Sequence, residues 1–477
     1  MGLQNIDHFV VLMLENRSFD HIFGLRPGVD GILDQNGNSA FSNPDPNGGN
    51  VPAAGGAPFA IPTKHGLGPF HNLTDVNVQL FGTETPDPQA APSMDGFVAS
   101  YRDALEHDTR GNFTADDLAV VMECFDPGAL PTATALADNF VLCDAWFSEV
   151  PGPTHPNRLY MHAGTSQGFV HNVFMRPFDC PTIYELLDRN NATWATYDFD
   201  LNEVMHFTRI SGKLDNFRPF SPRFGQDIET GNLPNYSFII PRFNSTHHIE
   251  SNDQHAPHDV RFGEHLIADI YEMLRANDTV WKSCAFFVTY DEHGGFFDHV
   301  APPPAPNPDG IVSPRPDDNF HGGPPPPFGF DRLGVRVPTL IVSPWVGKGV
   351  VVHDQLRHTS ILRTVRGRFN IQQDLGKREA AAPLLDAVFN QAAARTDAPA
   401  KLPRPQLPTL PPADHHANPG NQRPDDLSRD MMLGVFRATR PSHPEDDDTP
   451  PEMPITQVAM SELAHRRWTT HRKWMES

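Results

Sequence analysis

Apolar and polar residues fall in blocks along this chain instead of alternating one by one. Four short apolar runs stand out, at residues 9–14 (FVVLML), 139–147 (NFVLCDAWF), 285–290 (AFFVTY) and 337–344 (VPTLIVSP). Runs of this length without alternation suit strands buried on both faces. Between them, residues 182–190, 262–276 and 359–369 repeat apolar positions with a period near 3.6, as amphipathic helices do. Strands alternating with such helices predict an α/β fold, a central mostly parallel sheet covered by helices on both faces. Residues 35–56 and 302–327, rich in Gly, Pro and Asn, read as long loops. The proline-rich piece 398–412 and the acidic, proline-rich piece 441–454 set a tail apart. The expected division is a catalytic domain over 1–390 and a tail over 391–477, the latter with a short basic helix at 461–474.

Charge narrows the partners. Lys and Arg number 37 against 59 Asp and Glu, a formal charge of −22, so no basic face exists for a nucleic-acid backbone. A single phosphate is not excluded, because a metal ion can supply positive charge locally. Four widely spaced cysteines without a CxxC pair exclude a disulfide framework and a thiolate zinc site. No apolar run approaches the roughly 20 residues of a transmembrane segment. Residues 1–5 lead straight into the first apolar run with no basic n-region, so a cytoplasmic protein or a processed secreted form is expected. Seven Asn-x-Ser/Thr sequons lean toward secretion.

Candidate chemistry clusters at the ends of the runs. Glu15 and Asn16 follow the first, and Asp291 and Glu292 follow the third. Hard oxygen donors from two strand ends suit a divalent cation. The alternative for Glu15 and Asn16 is helix capping before Arg17-Ser18-Phe19. Thr154 lies in a proline-stiffened loop (PGPTHPNR, 151–158), where it is either a nucleophile or an N-cap. Asn157 and Arg158 either grip phosphate oxygens or pack the turn. His71, His255, His258 and His358 occupy loops or a helix start, and are candidates for phosphate binding or proton transfer.

Four blocks carry a resemblance: residues 6–24 (IDHFVVLMLENRSFDHIFG), 150–166 (VPGPTHPNRLYMHAGTS), 289–300 (TYDEHGGFFDHV) and 330–338 (FDRLGVRVP). Together they resemble the bacterial and plant non-specific phospholipase C family, which includes an acid phosphatase branch. The resemblance implies an alkaline-phosphatase-like α/β fold and hydrolysis of a phosphoric ester. It places the acid/amide pair on Glu15 and Asn16, the hydroxyl nucleophile on Thr154, and the second acidic pair on Asp291 and Glu292. Its histidines fall on His71, His255 and His358, with His258 close enough to compete for the middle role; the residues themselves, apart from the resemblance, offer His258, Asn157 and Arg158 as contacts of the substrate phosphate. One divalent metal is implied, with Ca, Mg or Mn favoured over Zn. The chain is similar to the short plant-type architecture, stopping before the C-terminal β-domains of long bacterial members. The expected activity is phospholipase C cleavage of glycerophospholipids to diacylglycerol and a phosphorylated headgroup. The alternatives are an acid phosphatase for small phosphomonoesters and an inactive protein that binds phospholipid headgroups. Transient membrane-surface contact is expected, with the Phe-rich pieces 295–297, 174–175 and 328–330 either facing lipid or packing the core.

Overall fold

The computed structural model describes residues 2–61, 68–107, 112–173, 176–245, 249–315 and 325–409. The acidic tail piece and the expected terminal helix lie outside the described residues. So do Phe174 and Met175.

Eight strands make one sheet: β1 (His8–Leu14), β2 (Val141–Cys143), β3 (Trp194–Asp198), β4 (Phe217–Pro219), β5 (Tyr236–Ile240), β6 (Cys284–Tyr290), β7 (Thr339–Val342) and β8 (Val350–Val352). Their order in space is β8-β2-β7-β6-β1-β5-β3-β4. Every neighbouring pair is parallel except those of β7, which runs antiparallel to β6 and to β2. The longest apolar runs occupy the middle. All of β5 and β6, and β1 from Phe9 onward, are buried. Because successive strand side chains point to opposite faces, both faces of the sheet are covered.

The covering helices are α1 (Phe19–Phe23), α2 (Pro131–Asn139), α3 (Thr154–Ala163), α4 (Ile183–Arg189), α5 (Val260–Ala276) and α6 (His358–Arg368). Helices α2 and α5 pack together, while α3 packs against α4 and α6. The predicted helices at 182–190, 262–276 and 359–369 are α4, α5 and α6, each within two residues of its expected ends.

One expectation changes here. Phe296 and Phe297 pack into a second core with Phe97 and Val121, and Phe328 and Phe330 pack with Leu73, Val150 and Tyr160. These rings are core and do not face lipid. The proline-rich start of the expected tail lies against the fold. Leu402 is buried, the Tyr271 hydroxyl of α5 donates to the Pro399 carbonyl at 2.5 Å, and the Thr132 hydroxyl of α2 donates to that of Pro403 at 2.8 Å. Residues 398–405 are a strap across α2 and α5. Proline suits it, since a strap outside the sheet needs few backbone donors.

Candidate active site

Register decides whether the two acid pairs meet. Leu14, the last residue of β1, pairs with Tyr290, the last of β6. In-phase parallel partners point to the same face, so Glu15 and Asp291 leave the sheet side by side. The junction is held by three hydrogen bonds. The Asp291 N–H donates to the Leu14 carbonyl at 3.1 Å, the Asn16 N–H to Asp291 Oδ1 at 3.0 Å, and the Arg17 N–H to the Glu292 carbonyl at 3.1 Å. Asn16 has φ +57°, an uncommon conformation for a residue with a side chain, and such strain gathers at functional sites. Capping is excluded for Glu15 and Asn16. Helix α1 takes its cap from Ser18, whose hydroxyl accepts the His21 N–H at 3.2 Å.

Thr154 is not an N-cap either. Pro153 holds that position, and Thr154 opens α3. Its hydroxyl donates to Glu15 Oε2 at 2.8 Å and lies 3.4 Å from Asn16 Oδ1. Four residues on, Arg158 shares this face of α3. Its Nε donates to Glu15 Oε1 at 2.7 Å, Nη1 to Glu203 Oε1 at 2.9 Å, and Nη2 to the Met13 carbonyl at 2.8 Å. Each guanidinium nitrogen is therefore spent on protein. Arg158 braces Glu15 and has no edge turned to a phosphate, which corrects its expected substrate role. Asn157 is corrected in the same way. Its Oδ1 accepts the N–H groups of Glu149 and Val150 at 2.9 and 3.0 Å. Its Nδ2 donates to the carbonyls of Val150, Gly152 and Pro153 at 3.2, 2.9 and 3.1 Å. A short amide satisfies the backbone of a turn that prolines leave poor in partners.

The histidines separate into three situations. His71 joins the cluster directly: its Nε2 is 3.1 Å from Asn16 Nδ2 and 3.7 Å from Glu292 Oε1, and its Nδ1 is 3.0 Å from the Pro69 carbonyl. That pattern makes Nδ1 the donor and Nε2 the acceptor. The His255 ring stands 5.8 Å from that of His71. His258 lies farther along, 5.9 Å from His255, with Nδ1 on Asp253 Oδ1 at 2.8 Å. His358 does not act on substrate in this geometry. Its Nε2 is 2.8 Å from the Asp291 carbonyl and its Nδ1 accepts the Trp146 indole N–H at 3.1 Å. Burial lowers its pKa, so a neutral ring with both nitrogens occupied holds the Asp291 backbone.

Asp253 escaped the sequence reading. Its carbonyl accepts the Glu15 N–H at 2.9 Å, and its carboxylate holds His258 and the His255 N–H. An acid two residues before a histidine in a loop was the available signal.

Crowded carboxylates dominate the electrostatics. Burial, then the Asp291 charge, pushes the Glu15 carboxyl well above its usual range. Burial, then Glu292, raises Asp291 to about 6. Burial also presses Glu292 upward, but His71, His293 and the Gly294 N–H outweigh it and leave the group lowered. Among the described residues, Asp291 Oδ2 and Glu292 Oε1 are buried without a hydrogen-bond partner. Buried anionic oxygens left in that state call for a cation, and the donor set of carboxylates, an amide and a hydroxyl fits a hard divalent ion. Another group has closer ligand spacing: Asp20, Asp298 and His299 bring one donor each within 4.8 Å. There Arg336 already supplies the cation. Its Nε donates to Asp298 Oδ1 at 2.9 Å and its Nη2 to Asp20 Oδ1 at 3.0 Å.

Converging oxygen ligands at the carboxyl ends of two central strands, with a hydroxyl on α3 turned into them, place the protein among phosphoester hydrolases. Comparison with known proteins carries the assignment further. The chain belongs to the phosphoesterase family, whose model matches residues 6–372. It is 37% identical over 456 residues to non-specific phospholipase C3 of Arabidopsis thaliana, covering 91% of this chain and 82% of that one. It is 30% identical over 450 residues to phospholipase C B of Mycobacterium tuberculosis, covering 86% and 82%. A solved structure of similar arrangement is the phosphonate monoester hydrolase of Agrobacterium radiobacter, with a TM-score of 0.33 and 12% identity over 56% of this chain and 74% of that one. Likeness at that level carries no inference about the site.

Proposed function

We propose that this protein is a phospholipase C in which Thr154 is the nucleophile. The observation that carries the reading is the 2.8 Å hydrogen bond from the Thr154 hydroxyl to Glu15 Oε2, inside the cluster built by the in-phase ends of β1 and β6. The Thr154 proton passes along that bond to Glu15, and Oγ1 forms a bond to phosphorus. The bond from phosphorus to the glycerol oxygen breaks, and diacylglycerol leaves after taking a proton from the imidazolium form of His255, beside His71. Water then cleaves the phosphothreonine ester and releases the phosphorylated headgroup. A divalent cation held by Glu15, Asn16, Asp291, Glu292 and Thr154 would polarise a phosphoryl oxygen. The names of the relatives, phospholipases C from a plant and a bacterium, support the lipid diester over a small monoester.

Such substrates sit in bilayers, so turnover requires transient contact with a lipid surface. Among the described residues no helix is long and apolar enough to cross a membrane. The experiment compares kcat/KM on phosphatidylcholine with that on an aryl phosphate monoester, for wild type, Thr154→Ala and Thr154→Ser. The reading expects preference for the diester, no turnover with Ala and reduced turnover with Ser. A clear preference for the monoester moves the protein to acid phosphatase chemistry. Release of neither product makes it a headgroup-binding protein.

A further inference from the structure

A carboxylate that contacts no expected site residue other than Arg158 is tied to the nucleophile by one unbroken chain. Glu203 lies beyond β3, two strands away from β1 across the sheet. It opens a short 3-10 helix, Glu203–His206, whose cap is Asn202. Asn202 anchors that helix by donating to Thr196 Oγ1 and to Asp198 Oδ1 on β3, both at 2.8 Å. From this fixed point Glu203 Oε1 accepts Arg158 Nη1 at 2.9 Å and stands 3.6 Å from His162 Nε2. Its other oxygen is buried with no hydrogen-bond partner among the described residues. Thr154, Arg158 and His162 lie four residues apart on one face of α3, so Glu203 addresses the same helix face as the nucleophile, one and two turns farther on.

The geometry defines what Glu203 does. Glu15 has two oxygens: Oε1 takes Arg158 and Oε2 takes Thr154. Whichever way Arg158 leans therefore sets where Oε2 points. Two anions attract the guanidinium from the reactive side, Glu15 at 2.7 Å and Asp291 Oδ2 at 3.8 Å from its nearest nitrogens. Glu203 is the counterweight on the far side, with the Met13 carbonyl fixing the third edge. Without its charge the fork is free to tilt toward Asp291, carrying Glu15 Oε2 away from the hydroxyl.

We propose that Glu203 is a positioning residue that acts through Arg158 and Glu15 to hold the Thr154 hydroxyl in attacking orientation, an inference that rests on Thr154 being the nucleophile. It touches neither substrate nor metal, so it sets kcat and leaves substrate affinity alone.

The test measures kcat and KM on phosphatidylcholine for Glu203→Gln, Glu203→Asp and Thr154→Ala, each checked for native circular dichroism and scaled to its folded fraction. Glu203→Gln keeps shape and an acceptor oxygen but loses the charge. Its kcat is expected to fall on the order of 10- to 100-fold with KM unchanged, since small misplacements of reacting groups cost that much. Glu203→Asp keeps the charge and recovers part of the loss. A Glu203→Gln enzyme with wild-type kcat, beside an inactive Thr154→Ala, overturns the positioning role and leaves the nucleophile standing. A rise in KM that accounts for the whole loss assigns Glu203 to substrate binding and also overturns it. An active Thr154→Ala overturns both readings at once.

Discussion

Replacing Arg158 with Met removes a buried cation wedged between two buried carboxylates, and the cost can be worked from two directions. Arg158, Glu15 and Glu203 are all buried, with Arg158 and Glu15 fully enclosed. Breaking a buried ion pair by removing one partner costs about 3–5 kcal/mol, because the other charge is left uncompensated. The second route uses the Glu203 carboxyl. Burial alone would push it up, but the Arg158 charge, joined by the hydrogen bond and charge of His162, more than reverses this and brings it from 4.5 to about 2. A displacement of that size is worth about 3 kcal/mol of folding stability at neutral pH. A carboxyl lowered on folding gives stability that is present above its unfolded pKa and is lost as pH falls through the folded one. Glu15 does not share this window, because burial and Asp291 keep its carboxyl well above the usual range even with Arg158 beside it. The stability gap between wild type and Arg158→Met is therefore widest above pH 4.5 and narrows toward pH 2. Denaturant unfolding followed by circular dichroism between pH 7 and pH 3 measures it. A gap that stays constant across that range would show that Arg158 acts by packing alone.

Three further substitutions or treatments follow from the same geometry. Gly294→Ala forces a Cβ to within 2.3 Å of the Asn16 carbonyl oxygen at a φ of +66°, so it should cost about 2–4 kcal/mol in thermal or denaturant unfolding and depress activity by shifting Asn16. Asn157→Ala strips the hydrogen bonds that hold the turn at 149–153, and should lower stability by about 2–3 kcal/mol while leaving KM near wild type wherever the protein folds; a selective rise in KM would restore Asn157 to substrate binding. Dialysis against chelator should lower the melting temperature and readdition of Mn or Ca should raise it, an effect that Asp291→Asn abolishes and Asp298→Asn does not.

Much of this arrangement was readable in the residues. The runs FVVLML and AFFVTY are β1 and β6 because unbroken apolar stretches have few other places to go, and the polar residues after them had to emerge at strand ends. Strands β3 and β5 were not readable. Trp194-Ala-Thr-Tyr-Asp and Tyr236-Ser-Phe-Ile-Ile mix hydroxyls with apolar groups, and only tertiary partners such as Asp227 on the Tyr197 hydroxyl at 2.8 Å make them acceptable inside. Register was beyond the sequence as well, and it is what puts Glu15 beside Asp291. For Arg158, Asn157 and His358 the residue type was informative but the direction of its donors was not. Each was a plausible phosphate ligand until its nitrogens were found on carboxylates, backbone carbonyls or, for His358 Nδ1, the Trp146 indole. A one-dimensional pattern marks which groups can bind and leaves open where they are spent.

The central claim is that Thr154 becomes covalently attached to phosphorus. Rapid acid quench during turnover of phosphatidylcholine, followed by peptide mass spectrometry, tests it most directly. The account predicts an adduct with the mass of the phosphorylated headgroup on the peptide containing Thr154, absent from Thr154→Ala, which is inactive. Full turnover by Thr154→Ala with no adduct on any residue would contradict it, and would require water to attack the phosphorus directly.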